Sequence, residues 1–221
     1  LNSTGRTFPF MLECCELVRA GEVCSEVLMK GTITGVPVQT TITITHKLPR
    51  VDINCSIDWP GHGYLRVQAY LKLPGGRDES VYTGVPFGAN SFENIIPGSG
   101  PSLGDEVTAD TWVRTREAQD WLLMAAKGAD HAVAVATDRK LVEFFDDGCA
   151  INFLSSMSPK WMQPEMFHPF AGHYETGFSV CSVARGDIDA AARFGEERFM
   201  PLRAICSYNH SMSELKSSRD T

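Results

Sequence analysis

Positive charge and long apolar runs are both scarce in this sequence of 221 residues. Lys and Arg number 20 against 27 Asp and Glu, a formal net charge of −7, and the basic residues are scattered. Nucleic acids and anionic lipids attract clustered basic residues, so we expect neither nucleic acid nor a membrane as a partner. No apolar run reaches the roughly 18 residues of a spanning helix, and the N-terminus lacks the order of a secretory signal. We therefore expect a soluble, cytoplasmic protein.

Common catalytic and redox motifs are also missing. No HExxH or GxxxxGKS/T pattern occurs, so metalloprotease and nucleotide-hydrolase chemistry have no support in the sequence. The seven cysteines include no CxxC pair, and we expect them to be reduced and buried. His168 and His173 have no third ligand at zinc spacing, so no metal site is expected.

Acidic residues occur in adjacent pairs at positions 105–106, 146–147 and 196–197. Hydrolysis of a glycosidic bond needs two carboxyl groups several ångströms apart across the sugar. Adjacent residues of a strand point to opposite faces and cannot provide that arrangement. We interpret these pairs as solvated turns and assign no catalytic residue.

Three segments in the first third of the chain alternate between apolar and polar residues. The strictest is 51–59, where one face is apolar and the other carries Asp52, Asn54, Ser56 and Asp58. Segments 38–45 and 65–73 share this period of two, which is typical of half-buried strands. One face of the 51–59 strand must therefore pack in a core, and the other is wet or lines a polar groove.

Short connectors rich in Gly and Pro separate these segments and leave no room for helical crossovers, so the strands are expected to pair antiparallel. Further strands are predicted near 112–114, 121–124, 132–136, 141–145, 150–154 and 177–183. Residues 87–110 are predicted to form a long surface loop. The predicted fold is all-β, a large antiparallel β-sandwich formed as one domain by residues 1–221, with a frayed tail at 209–221.

One short surface helix is predicted near the C-terminus, with Asp187 at its start and Pro201 after its end. Five apolar positions share one side of it and should lie on the sheet: Ile188, Ala191, Ala192, Gly195 and Phe199.

The tryptophans are candidates both for the core and for stacking on sugar rings. Trp59 and Trp121 lie on apolar strand faces and are assigned to the core. Trp161 lies in a Pro-flanked loop and is the best suited of the four to contact a sugar.

A series of short motifs follows one another along nearly the whole chain. The most specific is the stretch from Pro49-Arg-Val-Asp to Asp58-Trp59. It is followed by Tyr82–Gly88, Gln119–Leu122, His131–Lys140 and then segments 150–156, 172–180 and 201–202. In this order the motifs resemble the C-terminal β region of glycoside hydrolase family 38, the α-mannosidases.

The resemblance implies a fold and a role. The β region of that family is similar to the galactose-mutarotase supersandwich, and its zinc ligands and nucleophilic Asp belong to an N-terminal α/β domain without a counterpart here. The resemblance therefore implies a noncatalytic, carbohydrate-associated domain, complete or a fragment of a longer glycosidase, with no cofactor in this chain. Its implied partners are a mannose-containing glycan and a family 38 catalytic domain, in cis or in trans, which holds the zinc and whose substrate cleft this chain completes or supports.

The resemblance also suggests residues that contact substrate. In some family members an Arg in an Asp-Arg turn of the β region reaches toward the bound sugar, and the matching positions are Asp138 and Arg139. An ordinary surface turn is the alternative for these two. We further assign substrate contact to His173 and Trp161, and no residue to metal binding.

Two other functions remain open. One is a stand-alone sugar epimerase or mutarotase-like enzyme in which His173 and Glu175 handle the anomeric proton. The other is a β-sandwich whose strand faces bind another protein. A structure that places His173 and Glu175 within reach of one sugar would favour the epimerase.

Overall fold

The computed structural model describes residues 8–61, 66–85, 88–92, 115–117, 120–137, 141–155 and 171–199. Within these ranges the chain forms thirteen β-strands and one α-helix. In chain order they are β1 (Met11–Ala20), β2 (Cys24–Ile33), β3 (Val36–Thr45), β4 (Arg50–Trp59), β5 (Arg66–Lys72), β6 (Arg77–Val85), β7 (Gly88–Phe92), β8 (Thr115–Glu117), β9 (Trp121–Ala126), β10 (His131–Thr137), β11 (Leu141–Phe145), β12 (Gly148–Ser155), β13 (Gly172–Ala184) and α1 (Ile188–Phe199).

The strands form two sheets. The larger has nine strands in the order β1-β2-β3-β4-β13-β10-β9-β6-β7, and the smaller has four in the order β5-β12-β11-β8. Every pairing in the described ranges is antiparallel. The all-β, antiparallel architecture predicted from the short connectors is therefore confirmed.

The main core lies between the two sheets, and both contribute side chains that are almost fully buried. The large sheet provides Ile57, Leu122, Met124, Val135 and Phe178, and the small sheet provides Val142, Phe144, Cys149 and Ile151. Removal of this apolar surface from water stabilises the fold by about 25 cal/mol per Å². The two sheets therefore depend on each other for stability.

Strand β4 shows the predicted alternation. Cys55, Ile57 and Trp59 are buried in the core, whereas Asn54 and Asp58 are exposed on the opposite face. The second tryptophan assigned to the core, Trp121, is also buried. The outer face of the large sheet consequently carries a polar row along β4.

Strand β5 follows β4 in sequence but belongs to the other sheet. It pairs with β12, while β4 pairs with β3 and β13. Val67 of β5 and Ile57 of β4 meet in the same core from opposite sides. A period of two thus identifies a strand and its buried face but not its pairing partner.

Helix α1 covers part of the outer face of the large sheet. The Asp187 carboxylate accepts a hydrogen bond from the backbone N–H of Ala190 at 2.9 Å, so Asp187, predicted at the start of the helix, is its N-cap. Ala191 and Phe194 are buried against Trp121 and a group of alanines on β9 and β10. These small side chains let the helix lie close to the sheet, as expected from its apolar side. No helix in the described ranges is long and apolar enough to cross a bilayer.

Three observed strands were not predicted, or were predicted with other bounds, from the sequence. Residues 88–92, inside the predicted surface loop, form β7 and pair with β6, while 93–110 lie outside the described residues. Strand β1 has no clear alternation and is largely exposed, yet it pairs with the edge of β2 along its whole length. Strand β13 begins at Gly172, ahead of the predicted 177–183. In each case the backbone of a neighbouring strand supplies the hydrogen-bond partners that the local sequence does not reveal.

The cysteines are only partly as predicted. Six of the seven lie in the described ranges and are free. Cys55 and Cys149 are buried, but Cys15 is exposed, so the prediction of uniformly buried thiols is wrong. Burial raises the pKa of Cys149 to about 12 and keeps that thiol protonated.

Candidate functional site

The outer face of the large sheet carries a polar strip where β4 and β13 pair. The register places Asp58 beside His173, Ser56 beside Glu175, Asn54 beside Gly177 and Asp52 beside Ser179. Because side chains alternate along a strand, all eight residues belong to the same face. On the far side of β4, strand β3 adds Gln39 next to Ser56 and Thr41 next to Asn54.

A cleft of about 380 Å³ lies within this strip. We call it the polar cleft, and its lining includes Gln39, Thr41, Asn54, Ser56, Glu175, Gly177 and Arg198. Two amides, two hydroxyls, one carboxylate and one guanidinium therefore meet in a space within the range of small-molecule sites, about 300–1,000 Å³.

Gly177 keeps the polar cleft open. It is buried, and a Cβ at this position would collide with the amide oxygen of Asn54 and lie 2.8 Å from both Nη2 of Arg198 and the backbone oxygen of Ile53. A larger residue would therefore fit only if the side chains of Asn54 and Arg198 and the backbone at Ile53 all shifted.

Arg198 reaches the polar cleft from the last turn of α1. Its Nη2 donates a hydrogen bond to Oδ1 of Asn54 at 3.1 Å, and its Nη1 lies 3.7 Å from Oδ1 of Asp52. Its side chain is 22% exposed. The packing of α1 on the sheet thus decides where this guanidinium lies.

A second arginine holds Asp52 beside the cleft. Nε of Arg50 donates to the two carboxylate oxygens at 2.9 and 3.0 Å, and its Nη2 lies 2.8 Å from Oδ1. The hydroxyl of Ser179 donates to the same carboxylate. Arg50 also lies 5.6 Å from the ring centre of Phe194, in cation–π range. Asp52 is therefore matched in charge within a partly buried network.

His173 lies between two carboxylates at one end of the strip. Its Nδ1 is 2.7 Å from Oδ1 of Asp58, and its Nε2 is 3.6 Å from Oε1 of Glu175. The hydrogen bond to Asp58 raises the pKa of His173, and the negative charges of Asp58 and Glu175 raise it further. The imidazole consequently keeps its proton to a higher pH than a free histidine.

The structure describes one of the four residues assigned from the sequence to substrate contact. His173 is exposed beside the polar cleft, and Asp138, Arg139 and Trp161 lie outside the described residues. Glu175, named with His173 for epimerase chemistry, is next to it and lines the cleft. The sequence pairing of His173 with Glu175 thus corresponds to a contact in space.

Sequence reasoning does not identify Gly177, Arg198 or the Arg50–Asp52 pair. The polar positions of β4 were one signal, because their alternation already indicates a wet face or a polar groove. No local pattern links Arg198 to Asn54, since 144 positions separate them. Only the tertiary structure brings the helix to this strand.

Comparison with known proteins gives structural but no sequence matches. No family profile matches the chain, and no curated protein shows significant sequence similarity. A solved protein of glycosyl hydrolase family 38 from Enterococcus faecalis superposes with a TM-score of 0.68 at 10% identity, covering 91% of this chain and 26% of that one. A GH36 α-galactosidase from Geobacillus stearothermophilus gives a TM-score of 0.46 at 10% identity, covering 84% of this chain and 29% of that one. A putative aldose 1-epimerase from Escherichia coli gives 0.38 at 9% identity, covering 77% and 68%.

The first of these similarities establishes the fold. It extends over 91% of this chain, which has the fold of one region of that family 38 protein. The chain spans about a quarter of that protein's length. At 10% identity the similarity concerns architecture alone, and function has to be argued from the site.

Proposed function

We propose that this chain is a noncatalytic, carbohydrate-binding β domain of an α-mannosidase-like glycoside hydrolase, with the polar cleft as its glycan site. The observation that carries the proposal is the pairing of β4 with β13, which sets amide, hydroxyl, carboxylate and guanidinium groups around one opening.

The chemistry of the polar cleft suits a sugar. Each sugar hydroxyl both donates and accepts a hydrogen bond, and a ring carries several of them. Gln39 and Asn54 offer donors and acceptors, Thr41 and Ser56 offer hydroxyls that do both, and Glu175 accepts. Such a mixed set of donors and acceptors fits a polyol better than an apolar ligand.

The similarity of fold supports the class of enzyme. The solved protein that this chain resembles in fold belongs to glycosyl hydrolase family 38. The most specific sequence motif, from Pro49 to Trp59, coincides with β4, the strand that carries the polar row. In this proposal a separate catalytic domain, in cis or in trans, holds the zinc and the nucleophile, and this chain completes or supports its cleft for a mannose-containing glycan. In the part of the chain that the structure describes, no three His, Cys, Asp or Glu side chains are placed to hold a metal ion together.

Titration with methyl α-mannoside and mannobiose, followed by amide NMR, tests glycan binding. We expect shifts at Asn54, Ser56 and Gly177, and a two- to tenfold weaker affinity in Ser56→Ala, since one hydrogen bond contributes about 0.5–1.5 kcal/mol. Ser182→Ala, on an exposed position of β13 outside the cleft, is the matched control. If the amide signals of Asn54, Ser56 and Gly177 did not shift at millimolar sugar concentrations, the proposal would be contradicted.

An assay on nitrophenyl α-mannoside with added zinc tests the noncatalytic role. We expect no turnover by this chain alone. Turnover that disappears in Glu175→Gln would show that the chain itself is a hydrolase.

A second candidate function is that of a sugar epimerase. The contact between His173 and Glu175 favours it, because the two groups can exchange a proton beside a cleft of sugar size. Polarimetry of freshly dissolved sugars tests it. Accelerated interconversion of anomers that is lost in His173→Asn would establish the epimerase, and an unchanged rate with wild-type protein would exclude it for the sugars used.

A further inference from the structure

Arg198 has more hydrogen-bond donors than the surrounding protein uses. A guanidinium carries five N–H groups. Within the described ranges Arg198 makes one hydrogen bond, to Asn54, and its 3.7 Å contact with Asp52 exceeds hydrogen-bond distance. With 22% exposure, much of this cation is shielded from the water that would otherwise satisfy it.

The nearest carboxylate is already engaged. Asp52 accepts hydrogen bonds from Arg50 through both oxygens and from Ser179 through one of them. Arg50 therefore matches the charge of Asp52, and Arg198 is only a peripheral member of that network. Arg198 itself lines the polar cleft.

The negative group of the cleft lies at its other end. Glu175 is two positions from Gly177 along β13, which corresponds to about 7 Å of strand. Its side chain is 82% exposed, and Ser56 is its neighbour on β4. A ligand with an anionic group at Arg198 would thus present its hydroxyls toward Ser56 and Glu175, while the reverse orientation would bring two negative charges together.

We infer that the polar cleft binds a sugar unit that carries a carboxylate, a uronic acid, and that Arg198 recognises this group. The inference rests on the proposed carbohydrate-binding function and names its ligand class. A carboxylate fits the planar guanidinium in a bidentate arrangement, which is shorter and stronger than a hydrogen bond between neutral groups. The absence of a side chain at Gly177 allows the guanidinium of Arg198 to lie close to the strand.

Calorimetric titration with methyl α-mannoside and with its uronate, which differs at C6 alone, tests the inference. We expect the uronate to bind at least tenfold more tightly. Arg198→Gln should abolish the preference, so that this variant binds the uronate no more tightly than it binds the neutral sugar. Arg198→Lys should restore part of the preference, because it keeps the charge but not the planar fork. Arg19→Gln, at an exposed arginine of β1, is the control, and the melting temperature of each variant verifies folding.

The other outcomes separate the two proposals. Equal binding of both sugars by wild type would overturn the uronate inference and leave the carbohydrate site standing, whereas binding of neither would overturn both. Loss of both affinities in Arg198→Gln, or an unchanged preference, would show that Arg198 does not select the carboxylate. The same titration is carried out with mannose 6-phosphate and mannose 6-sulfate. If either bound more tightly than the uronate, the assignment of a carboxylate would be overturned.

Discussion

The two carboxylates beside His173 contribute unequally to its environment. Asp58 lies at 2.7 Å, in hydrogen-bond contact, and Glu175 at 3.6 Å. Both favour the charged imidazole, and the contact with Asp58 is the largest cause of the raised pKa of His173. The pKa of His173 therefore depends mainly on Asp58.

Asp58→Asn should lower the pKa of His173, and Glu175→Gln should lower it less. NMR titration of the imidazole measures both effects, and Glu16→Gln, on the distant strand β1, should leave the pKa unchanged. In the folded wild type the pKa is raised above the unfolded value of about 6.5, so the contribution of His173 to stability is present below that pH. This contribution is lost as the pH rises through the raised pKa. An unshifted pKa in Asp58→Asn would contradict the assignment.

Gly177 and Gly172 lie on the same strand but differ in their surroundings. A Cβ at Gly177 would collide with Asn54 and approach Arg198, whereas at Gly172 the nearest neighbour would be a ring carbon of Tyr174 at 3.9 Å, an ordinary contact. The two positions therefore form a matched pair for testing the space in the polar cleft.

Gly177→Ala should destabilise the fold by about 1–3 kcal/mol through overpacking. It should also weaken glycan binding, because Arg198 must move. Gly172→Ala should stay within about 0.5 kcal/mol of wild type, as most exposed substitutions do. Denaturant unfolding measures the stabilities, and equal effects of the two variants would contradict the close packing at Gly177.

At the scale of the element, helix α1 links the apolar and the polar parts of the outer face. Its Ala191 and Phe194 pack on the sheet, and Arg198 in its last turn lies at the polar cleft. Phe194 also lies under Arg50, which holds Asp52. Stability of the helix and geometry of the site are thus connected.

Asp187→Ala should cost about 1 kcal/mol of unfolding free energy, because the backbone N–H of Ala190 loses its cap. Asp189→Ala, in the same first turn but not the cap, should cost only a few tenths, through the helix dipole. Urea unfolding followed by circular dichroism compares the two. A smaller loss for Asp187→Ala than for Asp189→Ala would show that the cap does not stabilise the helix.

At the scale of the whole molecule, one apolar core joins both sheets. Ile57 belongs to the large sheet and Ile151 to the small one, and both side chains are almost fully buried in the same cluster. Sheets that share a core of this kind are expected to unfold together.

Ile57→Ala and Ile151→Ala should each lower the unfolding free energy by about 2–5 kcal/mol and shift a single transition. Tryptophan fluorescence and far-ultraviolet circular dichroism should report the same midpoint. Val23→Ala, at a position 73% exposed, should change little. A second transition in Ile151→Ala alone would show that the small sheet unfolds independently.

The sequence by itself determined which face of β4 is buried and where the helix begins. Alternation in β4 assigned Ile57 to the core and Asn54 to a polar surface, and Asp187 marked the helix start, because these features arise from neighbours along the chain. A cytoplasmic location and the contacts of Asp138, Arg139 and Trp161 remain predictions.

The tertiary structure alone decided which strands pair with one another and which side chains meet across the fold. It placed β4 and β5 in different sheets, paired residues 88–92 with β6, and brought Arg198 to Asn54. These contacts join positions far apart in the chain, and local periodicity carries no information on which distant strand or helix completes a face. The polar cleft depends on such long-range contacts. For that reason the pattern of β4 reveals Asn54 and Ser56, whereas only the fold shows that Arg198 and Gly177 join them.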